Sequence, residues 1–263
     1  MESNVNMDFL KGFDRYNIQA RIYPALLLLL PLLLTVYSVF PQLITSDSVK
    51  TLASILVSFG VLYFLSSVCR SAGKKKEVEL ITAWGGYPTT IILRHRDDFL
   101  NNLLKSRYHS FLNQNVPGIN FPSSSQESNN PQLADEIYIS SIDWLKEQRR
   151  DKDKYHLLYE ENIQYGFRRN LLGIKTWGLL SCIASIIFIF GNQIYQVLIN
   201  TTKFQSTSNL LQLIIENLTS FQLGVIFFDM FVFCIWLFMI REPWVKEAGF
   251  DYAKTLLKSI DNS

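Results

Sequence analysis

The sequence predicts an all-α membrane protein with four transmembrane helices, arranged as two hairpins, and a mainly helical cytoplasmic domain inserted between the hairpins. The 263 residues are 48% hydrophobic and 18% charged, and the hydrophobic residues are gathered into long runs that almost lack charge. Lysine and arginine cluster at one end of each run, as they do in oriented membrane helices. The net charge of only +2 gives no indication of a nucleic-acid partner.

The first hairpin comes from two closely spaced runs. Tyr23 to Phe40 is long enough to span a bilayer, and no small-residue cleavage site follows it, so we interpret it as an anchor and not as a removable signal peptide. Pro31 lies inside this run and predicts a kink, because it removes a backbone donor. The second run, Leu52 to Val68, follows a short polar turn at residues 45–50, so we expect the two helices to be antiparallel.

The second hairpin comes from two further runs near the C-terminus. Trp177 to Ile199 is rich in isoleucine and phenylalanine, and Leu223 to Ile240 contains one acid among its aromatic residues. The connection between them contains the stretch Leu210 to Ile215, which is too short to span a bilayer. We interpret that stretch as an interfacial helix on the outer membrane surface.

The positions of lysine and arginine orient all four runs in the same way. The two outer connections contain only Lys50 and Lys203, and all other junctions are basic. By the positive-inside rule, both termini and the central region are therefore expected in the cytoplasm. The basic residues at these inner junctions are Lys11, Arg15, Arg21, Arg70, Lys74, Lys75, Lys76, Arg168, Arg169, Lys175, Arg241, Lys246, Lys254 and Lys258.

These boundaries divide the chain into five parts. They are a cytoplasmic N-terminal segment (1–22), a first transmembrane hairpin (23–70), a cytoplasmic domain (71–175), a second transmembrane hairpin (176–241) with an extracytoplasmic loop (200–220), and a cytoplasmic C-terminal tail (242–263).

The central domain alternates predicted helices with breaks. Two glycines and a proline in the stretch from Trp84 to Thr90 predict a structured turn. Helical periodicity then extends from Ile92 to Leu112, from Ala134 to Gln148 and from Tyr155 to Phe167. Residues 117–132 are rich in proline, serine and asparagine, which predicts an exposed or disordered loop.

One acid, Asp229, stands inside the fourth run and is the first candidate for a functional site. A carboxyl group in a membrane is costly and is expected to line a polar pathway or to pair inside the helix bundle. We expect its partners on the third run, with Ser185 and Asn192 as candidates beside Ser181 and Gln193. A helix-to-helix hydrogen bond that fixes packing is the structural alternative.

A second candidate is a collar of arginines at the inner membrane face, Arg94, Arg96, Arg168 and Arg169. Guanidinium groups bind phosphate well, so we list these residues as a candidate phosphate or ligand site. The alternative is that they only hold helix ends in place and touch lipid headgroups.

Signals for catalysis are weak, and we predict no enzyme activity, no cofactor and no metal site. The sequence His95-Arg96-Asp97 has the spacing of a kinase catalytic loop, but the glycine-rich loop and the Asp-Phe-Gly motif are missing. The Gly85-Gly86 pair lacks the lysine of a phosphate-binding loop, so a tight turn is the better interpretation. An enzyme would need His95, Asp97 and His156 to converge in one cleft.

Three motifs carry a family resemblance: Trp84-Gly-Gly-x-Pro-Thr-Thr90, Leu93-Arg-His-Arg-Asp97 and Tyr165-Gly-Phe-Arg-Arg-Asn-Leu-Leu-Gly173. With them the whole chain resembles a group of bacterial four-helix membrane proteins that have no established activity. The resemblance implies the same architecture and a location in the bacterial inner membrane, and it implies no catalytic residues. The layout alone is similar to that of the transmembrane effectors of bacterial antiphage systems.

Together these observations lead to two functional hypotheses. The first is a non-enzymatic effector or receptor-like protein that acts in antiphage defence. Its cytoplasmic domain would sense a cytosolic protein or a nucleotide, and its helices would alter membrane permeability. The second is a constitutive small channel or transporter that uses Asp229. Four helices are few for a pathway, so we expect a homo-oligomer in the lipid bilayer.

Overall fold

The computed structural model describes residues 14–42, 47, 60–200 and 208–262. All regular structure in these ranges is helical and they contain no strand, which confirms the all-α class. Residues 52–59 of the predicted second membrane run lie outside the described residues, and the rest of that run belongs to a helix that begins at Val61.

Eleven helices occur in the described ranges. They are α1 (Arg15–Val39), α2 (Val61–Trp84), α3 (Pro88–Ile91), α4 (Asn102–Asn115), α5 (Ser124–Asn129), α6 (Pro131–Gln148), α7 (His156–Gly173), α8 (Lys175–Asn200), α9 (Ser208–Asn217), α10 (Ser220–Met239) and α11 (Glu242–Lys258). A π-helical turn occurs at Ile18–Ile22 in α1 and at Ile235–Met239 in α10, and a 3-10 turn, Ser259–Asn262, follows α11.

The chain forms two compact units, each built from two stretches of sequence. The unit that we call the apolar unit comprises Met1–Gly73 and Asn170–Arg241. The unit that we call the polar unit comprises Lys74–Arg169 and Glu242–Ser263. The sequence analysis treated residues 242–263 as a separate tail, whereas the structure includes their described part in the polar unit.

The apolar unit is built around α1, α8 and α10, which pack against one another. In the described part of the chain, these three helices are long and apolar enough to cross a membrane, which supports a membrane-embedded protein. They correspond to the first, third and fourth predicted runs. The stretch from Leu210 to Ile215 lies in α9, so its helical conformation is confirmed.

One close contact brings α8 and α10 together at the end of the bundle where α8 begins. Gly178 of α8 faces Trp236 of α10, which is only 2% exposed. A Cβ atom at Gly178 would lie 2.2 Å from the indole ring, so only glycine leaves room for the ring. The indole therefore fills the interior of the bundle at this level.

The polar unit has a single described hydrophobic core. Its buried residues come from the turn before α4, from α4, α6 and α7, and from α11 with the turn that follows it. A quarter of the buried residues of this core come from α11 and the turn that follows it: Ala253, Leu256, Leu257 and Ile260. The amphipathic α11 is thus an integral part of the unit, because it buries its apolar face in this core.

Two secondary-structure predictions in the polar unit were wrong. The helix expected from Ile92 begins only at Asn102, because the Asn101 side chain caps it by accepting a hydrogen bond from the backbone N–H of Leu104. Residues 117–132, expected to be an exposed loop, contain α5, which starts with a capping box of Ser123 and Gln126.

The other secondary-structure predictions for this unit were confirmed. The stretch from Ala134 to Gln148 is helical within α6, and the stretch from Tyr155 to Phe167 is helical almost throughout, within α7, which continues to Gly173. Helix α2 ends at Trp84, and the expected turn follows it.

Candidate functional site

Asp229 lies at the centre of the apolar unit. It is 0% exposed on α10, in contact with Ser185 of α8 and near Thr35 of α1. The Ser185 hydroxyl contacts both the Asp229 carboxyl oxygen Oδ2 and the Thr35 hydroxyl, and it lies 3.4 Å from the carbonyl oxygen of Pro31. The second carboxyl oxygen, Oδ1, is buried and has no hydrogen-bond partner among the residues that the structure describes.

The structure therefore brings Asp229 and Ser185 together, as the sequence predicted for two of the candidates. Asn192 is half-buried and makes no recorded hydrogen bond to either of them. Thr35 was missed by sequence reasoning, because a threonine within a leucine-rich run gives no local signal that it meets Ser185, which lies 150 residues later in the sequence.

A second polar layer lies nearer the end of the bundle where α10 begins. The Gln193 amide nitrogen donates to the Gln222 side-chain oxygen at 2.8 Å, and both side chains are buried. The Gln222 nitrogen lies 3.3 Å from the carbonyl oxygen of Ser38, while its side-chain oxygen accepts from the backbone N–H of Thr219. This layer thus links α1, α8 and α10 by amide hydrogen bonds.

The two polar layers are separated along the bundle by about 10 Å, the rise of the seven residue steps from Gln222 to Asp229. Ser38, whose hydroxyl donates to the carbonyl of Thr35 at 2.8 Å, lies between them on α1. In the opposite direction the described interior is closed by the indole of Trp236 on Gly178. The polar side chains around Asp229 therefore continue toward one end of the bundle.

In the polar unit, Arg94 and Arg96 are already paired with acids. Arg94 makes two hydrogen bonds of 2.8 Å to Asp135 and one of 2.7 Å to the carbonyl of Gly85. Arg96 reaches the same Asp135 at 3.1 Å and Glu127 at 2.9 Å. Any phosphate would have to compete with these two carboxylates for the guanidinium groups.

Glu127 is the most heavily bonded of these acids and is only 2% exposed. It accepts hydrogen bonds from the backbone N–H groups of His95 and Arg96, from the Arg96 guanidinium and from the Tyr138 hydroxyl. Burial favours the neutral acid, but these four bonds outweigh it and lower the pKa of Glu127. Glu127 thereby fixes the turn that carries the His95-Arg96-Asp97 sequence.

His109 lies below that turn. Its Nε2 atom is 2.7 Å from the carbonyl oxygen of Leu93, and its ring stacks on Tyr138 and meets the ring of His95 edge-on. Burial disfavours the charged imidazole and lowers the pKa of His109 to about 4. His156 pairs instead with Glu160 on α7, so the described contacts do not gather these histidines into one cleft.

Arg168 and Arg169 form a second ion-pair group with other partners. Arg169 donates to Glu77 at 2.9 Å, and the Tyr165 hydroxyl donates to the same carboxylate at 2.8 Å. Arg168 donates to Glu247 and stacks over the Trp244 ring at 4.9 Å. The four candidate arginines thus belong to two groups with different acids, and a phosphate site made by all four stays a prediction.

The Gly85-Gly86 turn uses its backbone donors to end α2. The Gly85 N–H donates to the carbonyl of Thr82 at 3.2 Å, and the Gly86 N–H donates to that of Ile81 at 2.9 Å, which is the Schellman pattern. Both glycines have positive φ, 79° and 145°. Because both N–H groups are engaged within the turn, neither is available to cradle a phosphate, and the interpretation as a tight turn is confirmed.

The Tyr165 to Gly173 motif contains two packing residues that sequence reasoning missed. Asn170 is 0% exposed and donates to the carbonyl of Ala20 at 2.6 Å. A Cβ atom at Gly173 would lie 2.5 Å from the backbone nitrogen of Gly73, so the two helices meet there backbone to backbone. In addition to its two arginines, the motif therefore contains two residues that pack helices together in the apolar unit.

Comparisons of this chain with protein-family models, with curated proteins and with solved structures found no match. The resemblance noted for the three motifs stays a prediction.

Proposed function

We propose that this chain is a non-enzymatic integral membrane protein of the effector or receptor-like kind. Its polar unit would receive a cytosolic protein or a nucleotide, and its apolar helices would alter the permeability of the membrane. The observation that carries the proposal is the division of one chain into a unit with three membrane-length apolar helices and a second unit with its own hydrophobic core.

The proposal includes a topology. Residues 52–68 form a fourth membrane span, both termini and residues 71–175 are cytoplasmic, and the membrane is the inner membrane of a bacterium. The support is the basic character of every inner junction, since the two outer connections contain only Lys50 and Lys203. The layout shared with transmembrane effectors of antiphage systems supports a role in antiviral defence.

The proposed working form is a homo-oligomer in the lipid bilayer. Four helices enclose too little space for an aqueous pathway, so several copies would have to surround it. Nucleic acid is not a proposed partner, because the net charge is only +2 and the described arginines of the candidate collar are paired with acids.

A leakage assay tests the proposal. The full-length chain is reconstituted in lipid vesicles that hold a self-quenching dye, and bacterial lysate is added from the cytoplasmic side. We expect leakage with lysate and none from protein-free vesicles. A trigger that is a protein is lost on protease treatment of the lysate, whereas a nucleotide survives and passes a small-pore filter. Vesicles that stay tight under every condition would contradict the proposal.

A second candidate function is a constitutive channel or transporter, and the burial of Asp229 beside Ser185 favours it. Under this hypothesis ion flux needs no lysate. The Asp229→Asn variant keeps the volume of the side chain and removes its charge, so it should change flux at unchanged expression. Equal flux in the variant and the unmodified protein would remove Asp229 from the pathway.

A further inference from the structure

We infer that Asp229 is a proton-binding site inside the bundle, which holds one proton as a neutral carboxyl group and exchanges it toward the end of the bundle that carries Gln193 and Gln222. The inference rests on the membrane location proposed above and on neither of the two candidate activities. Its ligand is the hydrogen ion, and its route is the set of polar groups between the two layers.

The hydrogen bonds around Asp229 favour a neutral carboxyl group. An ionised carboxylate offers about four acceptor positions, and within the described ranges only the Ser185 hydroxyl forms a hydrogen bond with this one. The Oδ1 atom has no partner, and among the described residues no lysine or arginine forms an ion pair with Asp229. Burying a charge with so little compensation is costly, whereas a protonated carboxyl group can donate to the Ser185 oxygen.

A metal cation does not fit this cluster. The Ser185 hydroxyl lies in direct hydrogen-bonding contact with the Asp229 carboxyl group on one side and with the Thr35 hydroxyl on the other. A sodium ion would have to separate them, because each ligand oxygen would contact the ion and not its neighbour. A proton shared along the row of oxygens requires no such space.

The surroundings leave Asp229 as the group that takes up the proton. Of the helices packed around it, α1 contributes Pro31 and Thr35, and α8 contributes Ser185 and Cys182. Cys182 is the other titratable side chain that interacts electrostatically with it in the described residues. A thiol releases its proton only at alkaline pH, so it does not compete near neutrality.

The direction of exchange follows from what lies on each side of Asp229. Toward the start of α10, the Ser38 hydroxyl and the Gln193–Gln222 pair supply groups that can donate and accept hydrogen bonds. Toward the end of α10, the ring of Trp236 lies against Gly178 and the Ser181 hydroxyl is engaged by the carbonyl of Gly178. A proton can pass between hydrogen-bonding groups, with water between them, but not through an indole ring.

Infrared spectroscopy of the full-length chain in lipid vesicles tests the protonation state. At neutral pH we expect the carbonyl-stretching band of a protonated carboxyl group, present in the unmodified protein and absent from Asp229→Asn. The control is Asp143→Asn, at a side chain that is 65% exposed, and it should keep the band. If Asp229→Asn does not fold, Ser185→Ala replaces it and should shift the band, because the partner of the carboxyl group is lost.

Exchange of the same proton for deuterium tests the direction. We expect Gln193→Leu to slow the exchange at Asp229 by about tenfold, because it removes a hydrogen-bonding group from the route. Ser181→Ala, at the other end, should leave the rate unchanged. A spectrum without a protonated-carboxyl band that Asp229→Asn removes overturns the proton site, and equal rates in all three proteins overturn its one-sided access. Both measurements can be made on vesicles that do not leak, so their outcome does not depend on the outcome of the leakage assay.

Discussion

The contact between Gly178 and Trp236 gives the sharpest test of the packing of the apolar unit. Replacing Gly178 by alanine adds a Cβ atom 2.2 Å from the Trp236 ring, with two further ring atoms at 2.4 and 2.5 Å. Carbon atoms pack comfortably at about 3.5 to 4.0 Å, so α8 and α10 must separate by roughly 1 Å or the indole must leave its site.

The expected magnitude comes from two opposing terms. Adding one methyl group to a tightly packed interior costs about 1–3 kcal/mol of unfolding free energy. Replacing glycine by alanine in a helix gains up to about 1 kcal/mol, because alanine loses less backbone entropy. Since the near neighbour is a rigid ring that is 2% exposed, the first term wins, and we expect a net loss of about 1–2 kcal/mol.

The matched control lies on the same helix. Gly191 has nothing within 4 Å of an added Cβ atom, so Gly191→Ala carries the entropic gain without the clash. Thermal unfolding of the full-length chain in detergent, followed by tryptophan fluorescence, should show Gly178→Ala melting below the unmodified protein and Gly191→Ala melting at or above it. Equal melting temperatures for the two variants would refute the packing argument.

Three further predictions concern the polar unit, and hydrogen exchange of α4 amides in the full-length chain measures all of them. The pKa of His109 is near 6.5 in the unfolded chain and about 4 in the folded chain, so the unfolded state binds more protons between these two values. The free energy of unfolding should therefore fall by roughly 3 kcal/mol as the pH is lowered from 6.5 to 4. His109→Gln should flatten this slope, and an unchanged slope would contradict the assignment. Glu127→Gln should destabilise the unit by about 1–3 kcal/mol because it weakens the hydrogen bonds that the buried carboxylate accepts, while Arg96 is 41% exposed and keeps Asp135 as a partner; the exposed Glu136→Gln should have little effect. Because the pKa of Glu127 is lowered in the folded state, its contribution is present at neutral pH and should be lost as the pH falls below about 4.5. Gly86→Ala should cost more than Gly118→Ala, because the φ of 145° at Gly86 is outside the left-handed region that alanine can enter, whereas the φ of 71° at Gly118 is close to it. The added Cβ atom at Gly86 would also lie 2.6 Å from the Arg94 guanidinium and displace it; equal protection of the two variants would contradict this difference.

The apolar helices could be predicted from sequence because their signal is local. A run of about 20 residues with few or no charges predicts a membrane-length helix by itself, and α1, α8 and α10 follow that rule, α10 with the single acid Asp229. The identity of the partner of Asp229 was harder to predict. The third run offered four polar candidates at different heights, and only the register of α8 against α10 selects Ser185 among them.

The two errors in the polar unit have a common physical cause. The segment after Ile92 has helical periodicity, but Glu127, far along the chain, accepts the backbone N–H groups of His95 and Arg96. The same acid is why the segment at 117–132 is ordered, since a buried carboxylate with four donors requires its own helix to be held in place. The hydrogen bonds of Glu127 therefore overrode the local sequence pattern in both segments that they join, the one after Ile92 and the one at 117–132.

The arginines show why charge position and charge pairing have to be separated. The positive-inside rule predicted an inner junction from Arg168, Arg169 and their basic neighbours, and that rule counts residues without regard to what they touch. In the folded polar unit Arg94, Arg96, Arg168 and Arg169 are bound by Asp135, Glu127, Glu247 and Glu77. A ligand that binds this collar must therefore replace a carboxylate, and in doing so it would release the turn or helix that the carboxylate holds. Ligand binding there would be coupled to a local rearrangement, which is the property that a sensing domain requires.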